Sequence, residues 1–463
     1  MPEPLWTSAE IITATGGALA GEAFAATGVS IDTRTLEPGD LFVALAGVRD
    51  GHEFIDQALA KGASGALATK AGAGARIIVG DVLPALERLG AAARDRAPNV
   101  RRGAVTGSVG KTSVTQAIAA GLKLAGPSHT SVHSYNNHIG VPLTLARMPR
   151  GTQRAIFEIG MNHSGEITPL SRMVRPQAAA ITTVGPVHVE AFPDGEIGVA
   201  RAKAEIFAGM AAGGTAILNA DNQWFDLLKG EAERAGCTVW AFGSDAACDA
   251  RLVDIAPDAG GLRVAAELHG RKVDFAIRQT GVQWGLNSLA VLLMLEALDV
   301  DLDTGLQALS AFAPLEGRGT EMTIAIDGGD FTLIDDSFNA NSLSMIAALK
   351  TLGGRRAAGR RIVALTDMLE LGEMSAGLHA ALAAPIAEAK VDLVFCAGPL
   401  MRSLWEALPP TRRGGYADSA AELEPRLAGA VRPGDVVLVK GSKGSKAGAL
   451  AKALAGLGVG DMG

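Results

Sequence analysis

Cysteine is nearly missing from these 463 residues. The three present, Cys237, Cys248 and Cys396, are odd in number and scattered. No disulfide framework and no metal-ligand spacing follows, which fits a reducing compartment. Aromatic side chains make up 4% of the chain, so its cores must rest on Ala, Val, Leu and Ile. No basic stripe interleaved with aromatics is found, and the net charge is −7, which argues against nucleic acid as the main partner. The most apolar stretches, such as 281–295, are too short and mixed to span a membrane, which takes about 20 residues. The opening Met1-Pro2-Glu3-Pro4-Leu5-Trp6 has neither a basic segment nor an apolar signal core, so a cytoplasmic location is expected. There is no internal repeat.

What is present reads as soluble α/β protein. Hydrophobic content is 48% with 20% charged residues, and the length suggests about three domains. The stretch with the clearest chemistry is Val105 to Ser113. The apolar run Gly103-Ala104-Val105 reads as the end of a buried strand, and Val114, Ile118 and Leu122 fall four apart, as in a helix. Gly107 and Gly110 lie between them, so bare backbone N–H groups can approach an anion at a helix N-terminus. Lys111 can neutralise phosphate oxygens and the Thr112 hydroxyl can ligate Mg²⁺. The longer form G-x-x-x-x-G-K-[ST] would need glycine where Val105 stands, so this is a compact phosphate loop.

Three units are expected along the chain: 1–100, 101–315 and 316–463. In the first, Ser30-Ile31-Asp32-Thr33-Arg34 precedes a Pro38-Gly39-Asp40 turn and the strand Leu41–Leu45. The polar loop 47–52 follows, ending Asp50-Gly51-His52. Asp32 and Arg34 either pair with each other or form part of a small ligand site. The second unit alternates strands with helices, which favours a mostly parallel sheet covered on both faces. It carries the loop of Asn136 and Asn137, and a strand over 155–162. Glu158 is the single acid of that strand, facing a metal or capping it with a salt bridge. His188 follows the strand 178–184, where ligands gather in such sheets, although a lone histidine is more often structural. A helix over 200–207 carries Lys203 and Glu205, which on their own read as a solvated face. Asn287 opens a later helix, as a cap or facing a base. A Pro/Gly loop, Pro314 to Gly319, marks the next boundary. The third unit alternates again, with Asp335 and Asp336 ending a strand before Ser337-Phe338-Asn339-Ala340-Asn341. The last strand, 435–439, runs into Lys440-Gly441-Ser442-Lys443-Gly444-Ser445-Lys446, an anion-holding loop or an exposed lysine-rich turn.

Taken in order, these motifs resemble the ATP-dependent Mur ligases of peptidoglycan synthesis. The resemblance covers nearly the whole chain, from Ser30–Arg34 through Gly107–Ser113, Glu158-Ile159-Gly160, Ala202–Ile206 and Asp335–Asn341 to Asp367-Met368-Leu369-Glu370-Leu371-Gly372. It implies a P-loop ATPase domain flanked by an N-terminal UDP-binding α/β domain and a C-terminal Rossmann-like domain. It also implies the chemistry: ATP phosphorylates the terminal carboxylate of a UDP-N-acetylmuramoyl tripeptide, and the amine of D-alanyl-D-alanine attacks the acyl phosphate.

On that resemblance Lys111, with Gly107, Ser108, Val109, Gly110 and Ser113, would hold the β- and γ-phosphates. Thr112 and Glu158 would bind one Mg²⁺, and His188 a second. Lys203 would be the lysine that is carbamylated in related ligases, its carbamate acting as a metal ligand. Asn287, Arg318, Asp335, Asp336 and Asn339 would contact the rest of ATP. Ser30, Asp32, Thr33, Arg34, Asp50, Gly51, His52, Asn136 and Asn137 would meet the UDP substrate. A monomer is expected. Phe338, Ser342, His138 and Pro186 depart from the family's usual residues, which bears on local substrate contacts. The alternative is a sister ligase that adds another amino acid, or a folylpolyglutamate-like ligase.

Overall fold

The computed structural model describes residues 3–459 except Val48, His133, His188 and Ala259. Its strands form three main sheets drawn from successive parts of the chain, 18–78, 101–277 and 320–440. The first has five strands in the spatial order Ala18–Ala20, Arg76–Ile78, Gly65–Ala68, Asp40–Val43, Gly28–Ser30. All its pairings are parallel except that of the outer Ala18–Ala20.

Helix α1 (Val82–Asp95) covers this sheet. Asp81 caps it by accepting from the Leu83 N–H, and Pro84 sits in the first turn, where a missing N–H is harmless. Its buried stripe, Val82, Ala85, Leu86, Leu89 and Ala93, keeps helical spacing. Gly90 lies against a helix of the next unit; a Cβ there would come within 2.8 Å of the Pro142 carbonyl oxygen.

The central sheet has nine strands. Strand β1 (Arg101–Thr106) lies within it and is buried on both faces, which explains why its sequence is apolar without alternation. Helix α2 (Lys111–Ala125) starts immediately after the glycine loop and buries Val114, Ile118 and Leu122. The short helix α3 (Gly140–Ala146) is buried along its whole length, and its Leu143 and Ala146 belong to the same apolar cluster as Trp6, Leu86 and Leu89. The Trp6 indole N–H donates to the Ala146 carbonyl at 2.8 Å, and the Arg147 Nε donates to the Val29 carbonyl at 2.6 Å. The first unit and the central one therefore share a core.

Strands β2 (Arg154–Glu158) and β3 (Ala178–Ile181) flank β1 in parallel, with Val105 opposite both Glu158 and Ala180. The expected strand over 178–184 stops at Ile181 because Thr182 turns away to the phosphate loop, donating to the Val109 carbonyl at 2.5 Å. Helix α4 (Glu196–Ala204) then tightens into a 3₁₀ turn, and β4 (Thr215–Asn219) follows. The region from 238 to 277 is strand-rich, as its sequence suggests, and closes one edge of the sheet with two antiparallel strands. Helix α5 (Trp284–Ala297) is apolar nearly all round and packs in the core beneath α2.

The third sheet has six strands, antiparallel only at its outer edge. Strand β5 (Gly329–Asp336) is followed by helix α6 (Ser342–Gly353) and strand β6 (Arg361–Thr366). The last strand, β7 (Val436–Lys440), inserts between β5 and β6. This sheet meets the central unit directly. The Val282 N–H donates to Thr351 Oγ1 at 3.2 Å, and a Cβ on Gly185 would lie 2.0 Å from the Leu343 side chain. Among the described residues no helix is long and apolar enough to cross a membrane.

Candidate active site

The carboxyl ends of β1, β2 and β3 and of β5 and β7 face one another across a cleft of about 460 Å³. The phosphate loop forms its floor. Gly107 has φ +150° and Gly110 φ +88°, a region that side-chain-bearing residues rarely adopt. A Cβ on Gly107 would come within 2.0 Å of Thr182 Oγ1. The Lys111 ammonium donates to the Gly107 carbonyl at 2.7 Å, closing the loop on itself. Burial holds Lys111 below the ordinary lysine range, opposed by the Glu158 charge and reinforced by Arg318.

Glu158 ends β2 and is only 1% exposed. One oxygen accepts from the Asn136 amide at 2.6 Å, while Oε2 is buried with no hydrogen-bond partner. A buried carboxylate oxygen left bare is costly unless a cation comes to it. The Thr112 hydroxyl lies 3.3 Å from that of Ser134, and Thr112, Ser134, Asn136 and Glu158 all line the cleft. The donors are hard oxygens, which suits Mg²⁺. Among the described residues no three His, Cys, Asp or Glu side chains converge to hold a metal unaided.

Lys203 is 2% exposed on α4, so the solvated-face alternative fails for it. Its neighbour Glu205 also has structural work, accepting from the backbone N–H groups of Gly165, Ile167 and Thr168. Burial, with a smaller push from the Lys111 charge, pulls Lys203 well below the ordinary lysine range. Lys203 is close enough to Lys111 to feel its charge. His188 lies outside the described residues.

Arg318 reaches the cleft from the loop between the central and third units. Its guanidinium stacks over the Phe338 ring at 4.0 Å, and it feels both Glu158 and Asp336. Asp336 and Asn339 line the same cleft, as does Asn287. Asn287 lies a turn inside α5, whose cap position is Gln283, so the capping alternative is set aside. Asp335 does not line the cleft; its carboxylate accepts from the Ser337 hydroxyl at 2.5 Å.

The remaining candidates sit elsewhere. Asn137 accepts from the N–H groups of Ile139 and Gly140, tying the turn into α3 rather than facing the cleft. Asn136 serves Glu158. In the first unit Asp32 and Arg34 pair at 2.6 Å. The Ser30 hydroxyl donates to the Asp32 carbonyl, and Thr33 bonds Gln57. Asp50 caps the turn beginning at Gly51 and holds His52 Nδ1 at 2.6 Å, while His52 Nε2 meets Thr69. None of these lines the cleft except Asn136.

The sequence reading missed Thr182, Thr183 and Asn219, which line the cleft just beyond β3 and at the end of β4. Their position past the carboxyl ends of parallel strands was the available signal. It also missed Lys440, assigned to a basic turn although it closes the apolar run Val436–Val439. Lys440 is 2% exposed, lines the cleft and pairs with Asp336 at 2.8 Å.

Comparison with known proteins agrees with this geometry along the whole chain. Three family models match: "Mur ligase family, catalytic domain" over 25–113, "Mur ligase middle domain" over 105–295, and "Mur ligase, glutamate ligase domain" over 321–443. The chain is 36% identical over 388 residues to the UDP-N-acetylmuramoyl-tripeptide–D-alanyl-D-alanine ligase of Escherichia coli, covering 82% of this chain and 83% of that one. To the Rickettsia prowazekii enzyme of the same name it is 30% identical, covering 90% and 93%. The crystal structure of MurF from Acinetobacter baumannii superposes with a TM-score of 0.86 at 27% identity, over 98% of this chain and 99% of that chain. An unbroken likeness of this extent, running through the phosphate loop and both walls of the cleft, makes this chain a member of the Mur ligase family.

Proposed function

We propose that this chain is an ATP-dependent ligase that joins D-alanyl-D-alanine to a UDP-N-acetylmuramoyl tripeptide, completing the cytoplasmic precursor of peptidoglycan. The observation that carries the reading is the buried, unpartnered Glu158 Oε2 beside Lys111 and Arg318, in a chain whose relatives of that name match it nearly end to end. The three working units are taken as 1–100 for the UDP substrate, 101–315 for ATP and 316–463 for the dipeptide.

A carboxylate is a poor acyl donor because its leaving group would be oxide. In the proposed reaction a carboxylate oxygen attacks the γ-phosphorus of ATP and ADP departs. The dipeptide amine, arriving uncharged, attacks the acyl carbon, inorganic phosphate leaves, and the new amide nitrogen gives up its proton. Both reactants of the first step are anions, so cations do most of the catalysis. Lys111 and the loop N–H groups hold the phosphates, and Arg318 approaches from the opposite wall. Glu158 and Thr112 are the residues fitted to hold one Mg²⁺, with Asn136 fixing the Glu158 carboxylate; His188 is assigned to a second. Bound magnesium supplies charge neutralisation of the transferring phosphoryl group. Lys203 carries a carbamate in the working enzyme, its depressed basicity favouring reaction of the free amine with CO₂. Closure of the third unit on the central one over the bound substrates keeps water from the acyl phosphate.

The test is ADP release with the UDP-tripeptide and each candidate acceptor. Turnover is expected with D-alanyl-D-alanine. No turnover with that pair, or preferred use of glutamate or a single amino acid, overturns the reading.

A further inference from the structure

The cleft holds one charge that neither the phosphate loop nor the acid-ending strand accounts for. Lys440 ends β7, between β5 and β6, and its side chain is almost wholly enclosed. Its ammonium lies 2.8 Å from Asp336 Oδ2 and donates to the Asn339 carbonyl at 3.0 Å. A buried lysine is held only where it is paired, and this one is paired across 104 residues of sequence.

The surroundings give the pair its meaning. Lys111, Glu158, Arg318, Asp336 and Lys440 line one cleft with alternating sign, and each feels the next. Arg318 is the uncommitted member. Its guanidinium stacks on Phe338 but, among the described residues, makes no hydrogen bond and no ion pair within 4 Å. It feels two carboxylates, Glu158 and Asp336; Glu158 is the one fitted to hold magnesium, which leaves Asp336 to capture it. Lys440 already pairs with Asp336 Oδ2 at 2.8 Å.

We propose that Lys440 is a positioning residue for the nucleotide: by neutralising Asp336 it leaves the Arg318 guanidinium free for the phosphates of ATP. This deepens the ligase reading and rests on it. Without Lys440, Asp336 is a buried carboxylate with one cation in reach, and Arg318 closes onto it. The effect is confined to the nucleotide end, because the candidate UDP-contacting residues of the first unit lie outside this cleft.

The test is calorimetric binding of a non-hydrolysable ATP analogue and, separately, of the UDP-tripeptide, in the full-length protein with magnesium. Lys440→Met is expected to weaken the ATP analogue at least tenfold and leave UDP-tripeptide affinity within twofold. Adding Asp336→Asn to Lys440→Met is expected to recover part of the loss, because Arg318 is then released; a general packing defect would instead make the double variant worse. Unchanged analogue affinity in Lys440→Met, or a double variant no tighter than the single one, overturns the proposal. If Lys440→Met fails to fold, the double variant is compared with Asp336→Asn alone. Affinities within threefold support an action of Lys440 through Asp336, and a further tenfold loss refutes it. None of these readouts involves ligation, so a failure of the ligase reading shows separately in wild-type turnover.

Discussion

The two glycines of the phosphate loop should respond differently to the same added methyl group. Gly110→Ala meets only ordinary contacts, with Asn287 Oδ1 3.4 Å from the new Cβ, so its cost is the left-handed backbone alone, about 1–2 kcal/mol. Gly107→Ala carries a similar backbone cost and also drives its Cβ to 2.0 Å from Thr182 Oγ1. That hydroxyl must move, breaking its 2.5 Å bond to the Val109 carbonyl and leaving buried polar atoms unpaired, at about 1–3 kcal/mol more. The sum is about 2–5 kcal/mol. Gly107→Ala should therefore lower the thermal midpoint and the affinity for an ATP analogue more than Gly110→Ala, with UDP-tripeptide binding as the internal control. Adding Thr182→Ala removes the clashing oxygen, so the double variant should be less destabilised than the sum of the singles by at least about 1 kcal/mol. Equal effects at the two glycines, or strict additivity with Thr182→Ala, would refute the steric account.

Lys203→Ala should abolish ligation and be partly rescued by acetate or formate, which can stand in place of the proposed carbamate; kinetics with and without added acid check this, and rescue of Lys111→Ala by the same acids would count against it. His129, edge-on to the Phe157 ring and bonded to the Thr144 carbonyl at 2.7 Å, is depressed by desolvation from 6.5 to about 4. Its stabilising contribution is present above pH 6.5 and is lost as pH falls towards 4, because the unfolded chain takes up the proton first. The full span is worth at most about 3 kcal/mol, and His129→Gln should flatten thermal stability across that window. Leu143→Ala removes a fully buried side chain from the core shared with the first unit and should destabilise by about 2–5 kcal/mol, read as increased protease cleavage near residue 100.

The phosphate loop was legible because its signals are local: an apolar strand, two glycines, Lys-Thr and helical spacing within 20 residues. Glu158 was legible for a related reason, since an acid in an apolar strand demands an explanation wherever it lies. Lys440 poses the same puzzle, but the lysines that follow it disguised it as part of a solvated turn. Its partner is more than a hundred residues away, and only the insertion of β7 beside β5 joins them. Asn136 was grouped with the substrate side because its bond to Glu158 depends on how a loop folds back over the end of β2, which spacing does not encode. Lys203 was ambiguous for the opposite reason. Among alanines on a short helix it gives no amphipathic signal, and only tertiary packing encloses it.

The core shared by α1 and α3 limits how these enzymes can be recombined. A chimera that takes residues 1–100 from a relative would press foreign side chains against Leu143, Ala146 and the Pro142 carbonyl, where even Gly90 leaves no room for a methyl group. A viable graft would have to carry the 140–147 segment with its N-terminal unit, although that segment lies beyond the phosphate loop in sequence. The third unit meets the rest across an open cleft, so its exchange needs matching only at a few surface points such as Gly185 with Leu343 and Val282 with Thr351. On the proposed assignment of the donor to the first unit and the acceptor to the third, acceptor preference should therefore drift more readily than donor preference as such ligases diverge.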